Sequence, residues 1–317
     1  LNYMLTRGKR NIDTLMLHPI GSMWSSFEPR SYADPSSHEA AVFTQAKVRY
    51  DGAFKALTDR FLSRRLDFHY GDEIIMENHA HVDGKRFVIG KFSYDNVVVP
   101  PSLTWRTKTL DLIQKFSENG GTLVFVAPTP VLIDAERPLD CAKEFPGAKI
   151  VSSPDEAIAY LRTKKEYIGI ENTKLSRETE EIFIHERTLD DGRTLIFLTN
   201  THETKIIDAR ITIPYVGAVE ELSCESGAVS ALSVTVENGK MRIDRTFHGG
   251  DYLMIAVDTK KKPVQYDNAA VSQSARGHDP LFSIRGEAFA YNAVSLSSCN
   301  GALAEDNVLR IDRLSLW

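Results

Sequence analysis

The stretch YDNVVVPPSLTWRTKTLDLIQKFSENGGTLVFVAP, residues 94–128, decides the fold because its hydrophobic period changes twice within one short span. Val97–Val99 form a β-branched run that ends at Pro100–Pro101, and proline cannot extend a hydrogen-bonded ladder, so a buried parallel strand is predicted to stop there. A 3.6-residue apolar period then predicts a helix, and a glycine pair separates it from the strand Thr122–Val126. Two parallel strands joined by a crossover helix predict an α/β sheet with helices on its faces.

The predicted helix of this stretch has a capping residue at its start and a buried stripe along it. Ser102 or Thr104 is the expected N-cap, because a short hydroxyl side chain can accept a hydrogen bond from the first turn. The apolar stripe consists of Leu110, Leu112, Ile113 and Phe116. Gly120–Gly121 supplies the positive φ with which helices commonly end.

Composition and charge place the chain among ordinary water-soluble domains. The chain has 317 residues and a net charge of -5, without a long run of one sign, which argues against a nucleic-acid-binding tract or a polybasic membrane surface. No apolar run approaches the roughly 20 residues of a membrane span, and the N-terminus lacks the order of a signal peptide. The three cysteines are scattered without CxxC spacing, so neither a disulfide framework nor a zinc knuckle is expected; they are Cys141, Cys224 and Cys299.

The pattern changes along the chain and predicts a succession of domains. Residues 1–172 read as a flavodoxin-like layered α/β domain. Residues 173–258 alternate with a period of two around turn dipeptides and predict an antiparallel β-sandwich. Residues 259–280 are polar and rich in breakers, which is typical of a linker. Residues 281–317 resemble the start of a further, incomplete β module; since the chain opens on Leu rather than Met, we expect a piece of a longer protein.

The order of these segments resembles a known family. LMLHPIGSMW, LDFHYGDE, YDNVVVPPSLTW, IHERTLDDGRTLIFLTN and YNAVSLSSC are similar to the region behind the catalytic barrel in large bacterial glycoside hydrolases, above all the α-L-rhamnosidase-like enzymes of glycoside hydrolase family 106. The resemblance covers nearly the whole chain. It implies that the α/β part is a class I glutamine-amidotransferase-like domain that packs on the barrel, and that the catalytic carboxylates belong to the barrel. No barrel is expected here, because eight βα units need about 250 residues.

Four residues are candidates for contact with sugar or with the barrel. Glycoside hydrolysis needs two carboxylates roughly 5 to 10 Å apart, and Asp72 and Glu73 are the adjacent acids at a predicted strand end. Neighbours on an extended chain point to opposite sides, so the alternative is that one caps the next helix and the other is solvated. His18 and Trp24 follow the first strand, where an aromatic face beside a hydrogen-bonding group forms either a sugar platform or a lid on the core.

Metal and nucleophile chemistry are both weakly indicated. Asp67 and His69 share one face of a predicted strand, with His79 and His81 nearby, but no third ligand has a fixed spacing. We expect no metal site and no catalytic residue. A nucleophile elbow needs glycines around Cys or Ser on a strand-to-helix turn, and Cys141 lies in an irregular stretch instead.

The sequence and the resemblance together predict the non-catalytic part of a bacterial glycoside hydrolase that takes part in carbohydrate metabolism. Its expected partners are the catalytic barrel of the same parent chain and carbohydrate, with homo-oligomerisation left open and with no cofactor, nucleic acid or membrane. A stand-alone carbohydrate-binding or oligomerisation module is the first alternative, and a degenerate amidotransferase-like enzyme is the second. We expect this chain alone to be inactive; its compartment is unknown.

Overall fold

The computed structural model describes residues 6–27, 29 and 33–264, and the backbone of two further short strands, Ile284–Arg285 and Val308–Leu309. Residues 1–266 form one compact unit and residues 267–317 a second. In the second unit the two short strands pair antiparallel. The rest of the predicted module at 281–317, most of the predicted linker at 259–280, and Cys299 lie outside the described residues.

The first 165 residues contain both strands and helices. The strands are β1 (Lys9–Arg10), β2 (Thr14–Leu17), β3 (His69–Gly71), β4 (Ala80–Asp83), β5 (Arg86–Ile89), β6 (Phe92–Tyr94), β7 (Asn96–Val99), β8 (Thr104–Trp105), β9 (Thr122–Val126), β10 (Leu132–Ile133), β11 (Arg137–Pro138) and β12 (Lys149–Val151). The helices are α1 (Ile20–Trp24), α2 (His38–Ala46), a π-helical segment (Lys47–Gly52), α3 (Ala53–Ser63), α4 (Glu73–His79), α5 (Thr107–Glu118), α6 (Cys141–Glu144) and α7 (Pro154–Arg162). Among the helices of the described chain, none combines the length and apolar composition needed to cross a membrane.

Five parallel strands form the central sheet, in the spatial order β3-β2-β7-β9-β12. Numbered along the chain, this order is 2-1-3-4-5. The sheet is buried on both faces, as the run Val97–Val99 predicts. One face, which includes Leu15 and Val97, packs against α4, α5 and the β4–β6 meander. The opposite face, which includes Met16 and Val98, packs against α3 and α7.

Helix α5 begins later than the sequence predicts. Neither Ser102 nor Thr104 caps it, since both are buried and Thr104 belongs to β8, which pairs with β10. Arg106 is the N-cap residue and makes no side-chain capping bond. Its backbone N–H instead donates to Glu73 Oε2 at 2.7 Å. A carboxylate from another helix therefore replaces the predicted local cap.

The two glycines after α5 have different roles. Gly120 has φ +83°, which confirms the predicted left-handed exit. Gly121 has no such φ, but a Cβ added there would lie 2.2 Å from Phe116 Cε2. The second glycine therefore allows the next strand to pass close to a buried ring.

An antiparallel β-sandwich follows. Its strands are β13 (Gly169–Asn172), β14 (Arg177–Glu178), β15 (Ile182–Thr188), β16 (Thr194–Asn200), β17 (Ile207–Ile213), β18 (Ala218–Leu222), β19 (Val229–Leu232), β20 (Thr235–Glu237), β21 (Lys240–Phe247) and β22 (Tyr252–Asp258). One sheet has the order β1-β15-β16-β22-β18-β19 and the other β14-β13-β17-β21-β20. Their inner faces share one apolar core, which includes Ile211 and Ile255. Strands β1 and β13, which lie in the range predicted as α/β, thus pair within the sandwich.

The two halves of this unit meet at a charged junction. Glu178 of β14 accepts hydrogen bonds from three guanidinium groups of the α/β part: Arg64 Nη1 at 2.6 Å, Arg65 Nη2, and Arg162 Nη2 at 2.7 Å. The Arg65 side chain is fully buried, with 0% exposed. Burial and the two neighbouring guanidinium groups lower the pKa of Arg65 to about 10, although Glu178 opposes the shift. One glutamate therefore joins the sandwich to two helices.

Candidate functional site

The predicted contact residues lie at the carboxyl end of the parallel sheet, on the loops after β2 and β3. His18 N donates to Gly71 O at 2.9 Å, which ties the first loop to the second strand. The His18 ring packs against Phe54, with centroids 5.1 Å apart, and lies 6.4 Å from the Tyr70 ring. The His18 imidazole therefore packs in an aromatic cluster with Phe54 and Tyr70.

Helix α1 carries an exposed indole and is fastened to a neighbouring segment of the chain. Ser22 is fully buried, and its Oγ accepts the backbone N–H groups of Leu103 at 2.8 Å and Thr104 at 3.2 Å. These bonds fasten α1 to the segment that leads into β8. Trp24, two residues further on, is 60% exposed. The structure thus places Trp24 at the surface rather than over the core, which is the arrangement a ligand or domain contact requires.

Asp72 caps its own helix. Its Oδ1 accepts the N–H groups of Ile74 at 2.9 Å and Ile75 at 3.0 Å at the start of α4. A carboxylate at this position also interacts favourably with the positive end of the helix dipole. The carboxylate of Asp72 is therefore engaged within the chain.

Glu73 is buried, with 5% exposed, so the prediction that the second acid of the pair is solvated is wrong. Its Oε2 accepts Arg106 N at 2.7 Å and the Thr109 hydroxyl at 3.0 Å. Burial raises the pKa of Glu73, and these two hydrogen bonds oppose the shift. The physical reason for the burial is that α5 starts without a cap of its own, so its first N–H groups need an acceptor. No local sequence pattern indicates this contact, which joins residues 33 positions apart.

The residues weighed for metal binding have other partners. Arg10 binds Asp67 through two hydrogen bonds, from Nε at 3.0 Å and from Nη2 at 2.6 Å. His69 Nδ1 lies 2.9 Å from the Tyr94 hydroxyl, and burial lowers the pKa of His69. Within the described residues no group of three or more His, Cys, Asp or Glu side chains is placed to hold a metal ion.

The Cys141 thiol is enclosed by the chain. It begins α6, is buried, and its Sγ donates to Pro130 O at 3.2 Å. Burial raises the pKa of Cys141 to about 12, and the thiolate is the nucleophilic form. This environment is opposite to that of an activated nucleophile.

A second concave region, not anticipated from the sequence, lies where the loop after α7 meets β13 and β17. It is a cleft of about 470 Å³ with Gly169 and Thr212 among its lining residues. The one sequence signal for it is a glycine at the start of the strand GIEN, where β-branched residues are commoner.

Comparison with known proteins finds similarity only among solved structures. No protein-family model and no curated protein matches the sequence. A rhamnosidase from Novosphingobium sp. PP1Y is 15% identical over 63% of this chain and 20% of its own, with a TM-score of 0.48. A beta-galactosidase from Bacillus circulans sp. alkalophilus is 9% identical over 79% of this chain and 42% of its own, with a TM-score of 0.47. An alpha-L-fucosidase isoenzyme 2 from Paenibacillus thiaminolyticus is 8% identical over 81% of this chain and 50% of its own, with a TM-score of 0.46. These structural neighbours are glycoside hydrolases, and the chain spans between a fifth and a half of their lengths.

Proposed function

We propose that this chain is a non-catalytic part of a bacterial glycoside hydrolase of the α-L-rhamnosidase-like kind, and that it buttresses the catalytic barrel of the same parent protein. In this proposal the α/β part is a flavodoxin-like, class I glutamine-amidotransferase-like domain. The strand order 2-1-3-4-5 supports that assignment, because it is one of the two common orders of doubly wound sheets. Ligands of such sheets lie beyond the carboxyl ends of the strands, which is where His18 and Trp24 lie.

The observation that carries the proposal is the exposed indole of Trp24 on a helix whose Ser22 is buried and doubly hydrogen-bonded. These bonds hold the backbone at Trp24 in place, so only the side chain has conformational freedom to lose when the indole packs on a sugar or on another domain. Trp24 and His18 therefore form the contact surface. The carboxylates of Asp72 and Glu73 support the fold instead, since each is bound to a helix N-terminus.

The junction at Glu178 supports the buttress role. A supporting domain holds its neighbour in place only if its own parts do not move against one another. Here three guanidinium groups, from α7 and from the end of α3, converge on the carboxylate of Glu178. Strand β1, which precedes the parallel sheet in the chain, pairs with β15 of the sandwich and adds a second connection. The α/β part and the sandwich would therefore present the Trp24 surface as one body.

The test measures hydrolysis of aryl α-L-rhamnoside and aryl β-galactoside by this chain and by its longer parent protein. We expect the chain alone to be inactive and the parent to be active. In the parent, Trp24→Ala should raise KM or lower thermal stability, whereas Ile206→Ala, which removes a comparably exposed apolar side chain (56%) from the sandwich, should change neither. Hydrolysis by this chain alone, or a Trp24→Ala parent that is identical to wild type in both respects, would refute the proposal.

The rival function of a degenerate amidotransferase-like enzyme is opposed by the burial of the Cys141 thiol. The rival function of an oligomerisation module has one observation in its favour. The first half of the long helix, over α2 and the π-helical segment, carries the exposed apolar residues Val42 and Val48. Size-exclusion chromatography with light scattering tests this alternative, because a self-associating module would have a molar mass that is a multiple of the 35.5 kDa of one chain.

A further inference from the structure

Strand β1 joins the sandwich to the α/β part through a pair of oppositely charged side chains. The backbone of β1 pairs with β15 of the sandwich. The Arg10 side chain of β1 binds Asp67, in the segment between α3 and β3, from Nε at 3.0 Å and from Nη2 at 2.6 Å. This pair, named here the Arg10 contact, shares no residue with the junction at Glu178.

The pairing of β1 with β15 places two positive charges opposite each other. Arg10 lies directly across from Arg187 in the antiparallel register. Like charges in directly opposite positions destabilise a pair of strands. Arg187 also donates to the backbone carbonyl of Gly8 at 3.0 Å. Among the described residues, Asp67 is the one acidic partner of these two arginines, so the pairing depends on its carboxylate.

Two histidines adjoin the Arg10 contact, one from each half of the unit. His69 belongs to β3 and His185 to β15, and both are partly buried. His185 Nε2 lies 3.4 Å from Arg187 Nη1. Because a guanidinium group can only donate, Nε2 is the acceptor and carries no proton. His69 Nδ1 lies 2.9 Å from the Tyr94 hydroxyl, which can donate or accept, so His69 can act on the contact only through its charge.

The surroundings of both imidazoles favour the neutral form. Burial lowers the pKa of each histidine, the charge of Arg10 lowers it further, and Asp67 opposes the shift. Arg187 also lowers the pKa of His185. A depressed pKa means that the stabilisation is complete above the unfolded value of 6.5 and is lost as pH falls through the lower folded value. A proton on His185 Nε2 would face the Arg187 guanidinium and remove the acceptor of its N–H group.

Glu186, the neighbour of His185 in β15, has the opposite dependence on pH. Successive side chains of a strand face opposite sides, so Glu186 lies on the other face of β15. Burial raises its pKa to about 7, with Asp13 and Asp67 adding to the shift and Lys165 opposing it. Acidification therefore removes a buried charge at Glu186 while it adds charges at the two histidines.

We propose that His69 and His185 make the Arg10 contact sensitive to pH: in acid their protonation weakens the hold of Asp67 on Arg10 and frees β1 from β15, and at neutral pH both contacts form again. Protonation adds two positive charges to those that Arg10 and Arg187 already place around one carboxylate. The connection between the α/β part and the sandwich is then firm at neutral pH and looser in acid. This regulation goes beyond the buttress role, because the contact lies within the chain and needs no catalytic barrel.

The experiment is hydrogen–deuterium exchange of the full chain, read by mass spectrometry in the peptide that contains Asn11, whose backbone N–H donates to Glu186 O at 2.9 Å. Protection, corrected for the intrinsic exchange rate, is compared between each variant and wild type at about pH 7.5 and about pH 5.5, the range in which histidine changes its charge. His185→Gln keeps an acceptor for Arg187 but cannot gain a proton. We expect its protection to equal that of wild type at about pH 7.5 and to exceed it at least about threefold at about pH 5.5, the effect of one exposed like-charge contact.

Two further variants complete the comparison. His69→Gln should change protection in the same direction as His185→Gln. His81→Gln, which replaces an exposed histidine of β4, should follow wild type at both pH values. Glu186 is present in wild type and in all three variants, so its own titration cancels from each ratio.

Three outcomes would overturn the proposal: a ratio of protection between His185→Gln and wild type that is the same at both pH values; an equal gain in His81→Gln; or a gain in acid that is equally large in β16, which would indicate a change in global stability. If His185→Gln does not fold, His69→Gln decides, because it alters one side chain in the other half of the unit. Exchange reads β1 directly in this chain, so its failure is distinct from failure of the hydrolysis assays that test the buttress role.

Discussion

Among the charged residues that the structure describes, Glu178 should be the one whose substitution costs most stability, and Glu178→Gln tests this while nearly conserving volume. The substitution removes the one negative charge that Arg64, Arg65 and Arg162 share. The Arg65 side chain is fully buried and would keep its positive charge without a counter-ion. Breaking a buried pair by removing one partner typically costs about 3–5 kcal/mol. Because 22% of the Glu178 side chain is exposed, we expect the lower end, about 3 kcal/mol.

Urea unfolding followed by far-UV circular dichroism measures this loss from the midpoint at constant slope. The matched control is Glu220→Gln, because Glu220 pairs with Arg193 at 2.7 Å, away from the junction, and is 41% exposed. Exposed pairs contribute at most about 1 kcal/mol, so the control should lie close to wild type. Equal midpoints for the two variants would refute the assignment of Glu178 as the junction residue.

The pH dependence of the same pair gives an independent check. Burial alone would raise the pKa of Glu178, but the Arg162 hydrogen bond and the three guanidinium charges hold it below its ordinary value. A depressed pKa means that the stabilisation is complete above the unfolded value of 4.5 and is lost as pH falls through the lower folded value. The difference between wild type and Glu178→Gln should therefore shrink below about pH 4.5. A difference that stays constant from pH 7 to pH 3 would contradict this origin.

Three further predictions concern the core and its edges. Burial raises the pKa of Glu186 to about 7, so its ionisation destabilises the fold as pH rises from 4.5 through 7. The free energy of unfolding of Glu186→Gln, measured in urea, should therefore equal that of wild type near pH 4.5 and be roughly 2–3 kcal/mol higher at pH 8. Ser22→Ala leaves two buried N–H groups without an acceptor and should cost about 2 kcal/mol, seen as a thermal midpoint roughly 4–8 °C lower; an unchanged midpoint would show that α1 is not fastened by this hydroxyl. Gly121→Ala places a Cβ 2.2 Å from the Phe116 ring and should cost about 1–3 kcal/mol, whereas Gly147→Ala meets nothing within 4 Å and should stay within about 0.5 kcal/mol of wild type by calorimetry.

Local signals predicted the regular elements well. Ser153, a good capping residue, precedes Pro154 at the start of α7, and its side chain accepts Glu156 N. The turns at Asp83–Gly84 and Asn238–Gly239 both have their glycine in the left-handed region, as these hairpin dipeptides favour. Each of these features depends on groups only a few residues apart, so the sequence carries the full information for it.

The candidate sites were only partly predictable. His18 and Trp24 could be placed on the loop after the first strand, because a strand end can be read from the sequence. The burial of Glu73 could not be predicted, since it depends on how α5 packs against the start of α4. The cleft at Gly169 brings together side chains from α7, β13, β14 and β17, and no local pattern specifies that meeting.

The sequence by itself determined the alternation of strand and helix up to α7, the change to a period of two after it, and most of the turns between strands, because hydrophobic period and turn chemistry act over a few residues. Only the tertiary structure decided that Glu73 caps α5 in place of Ser102 or Thr104, and that Glu178 gathers guanidinium groups from up to 114 residues away. These partners are chosen by packing: once the layers close, each buried charge and each unpaired N–H must find whatever acceptor or donor the neighbouring layer presents.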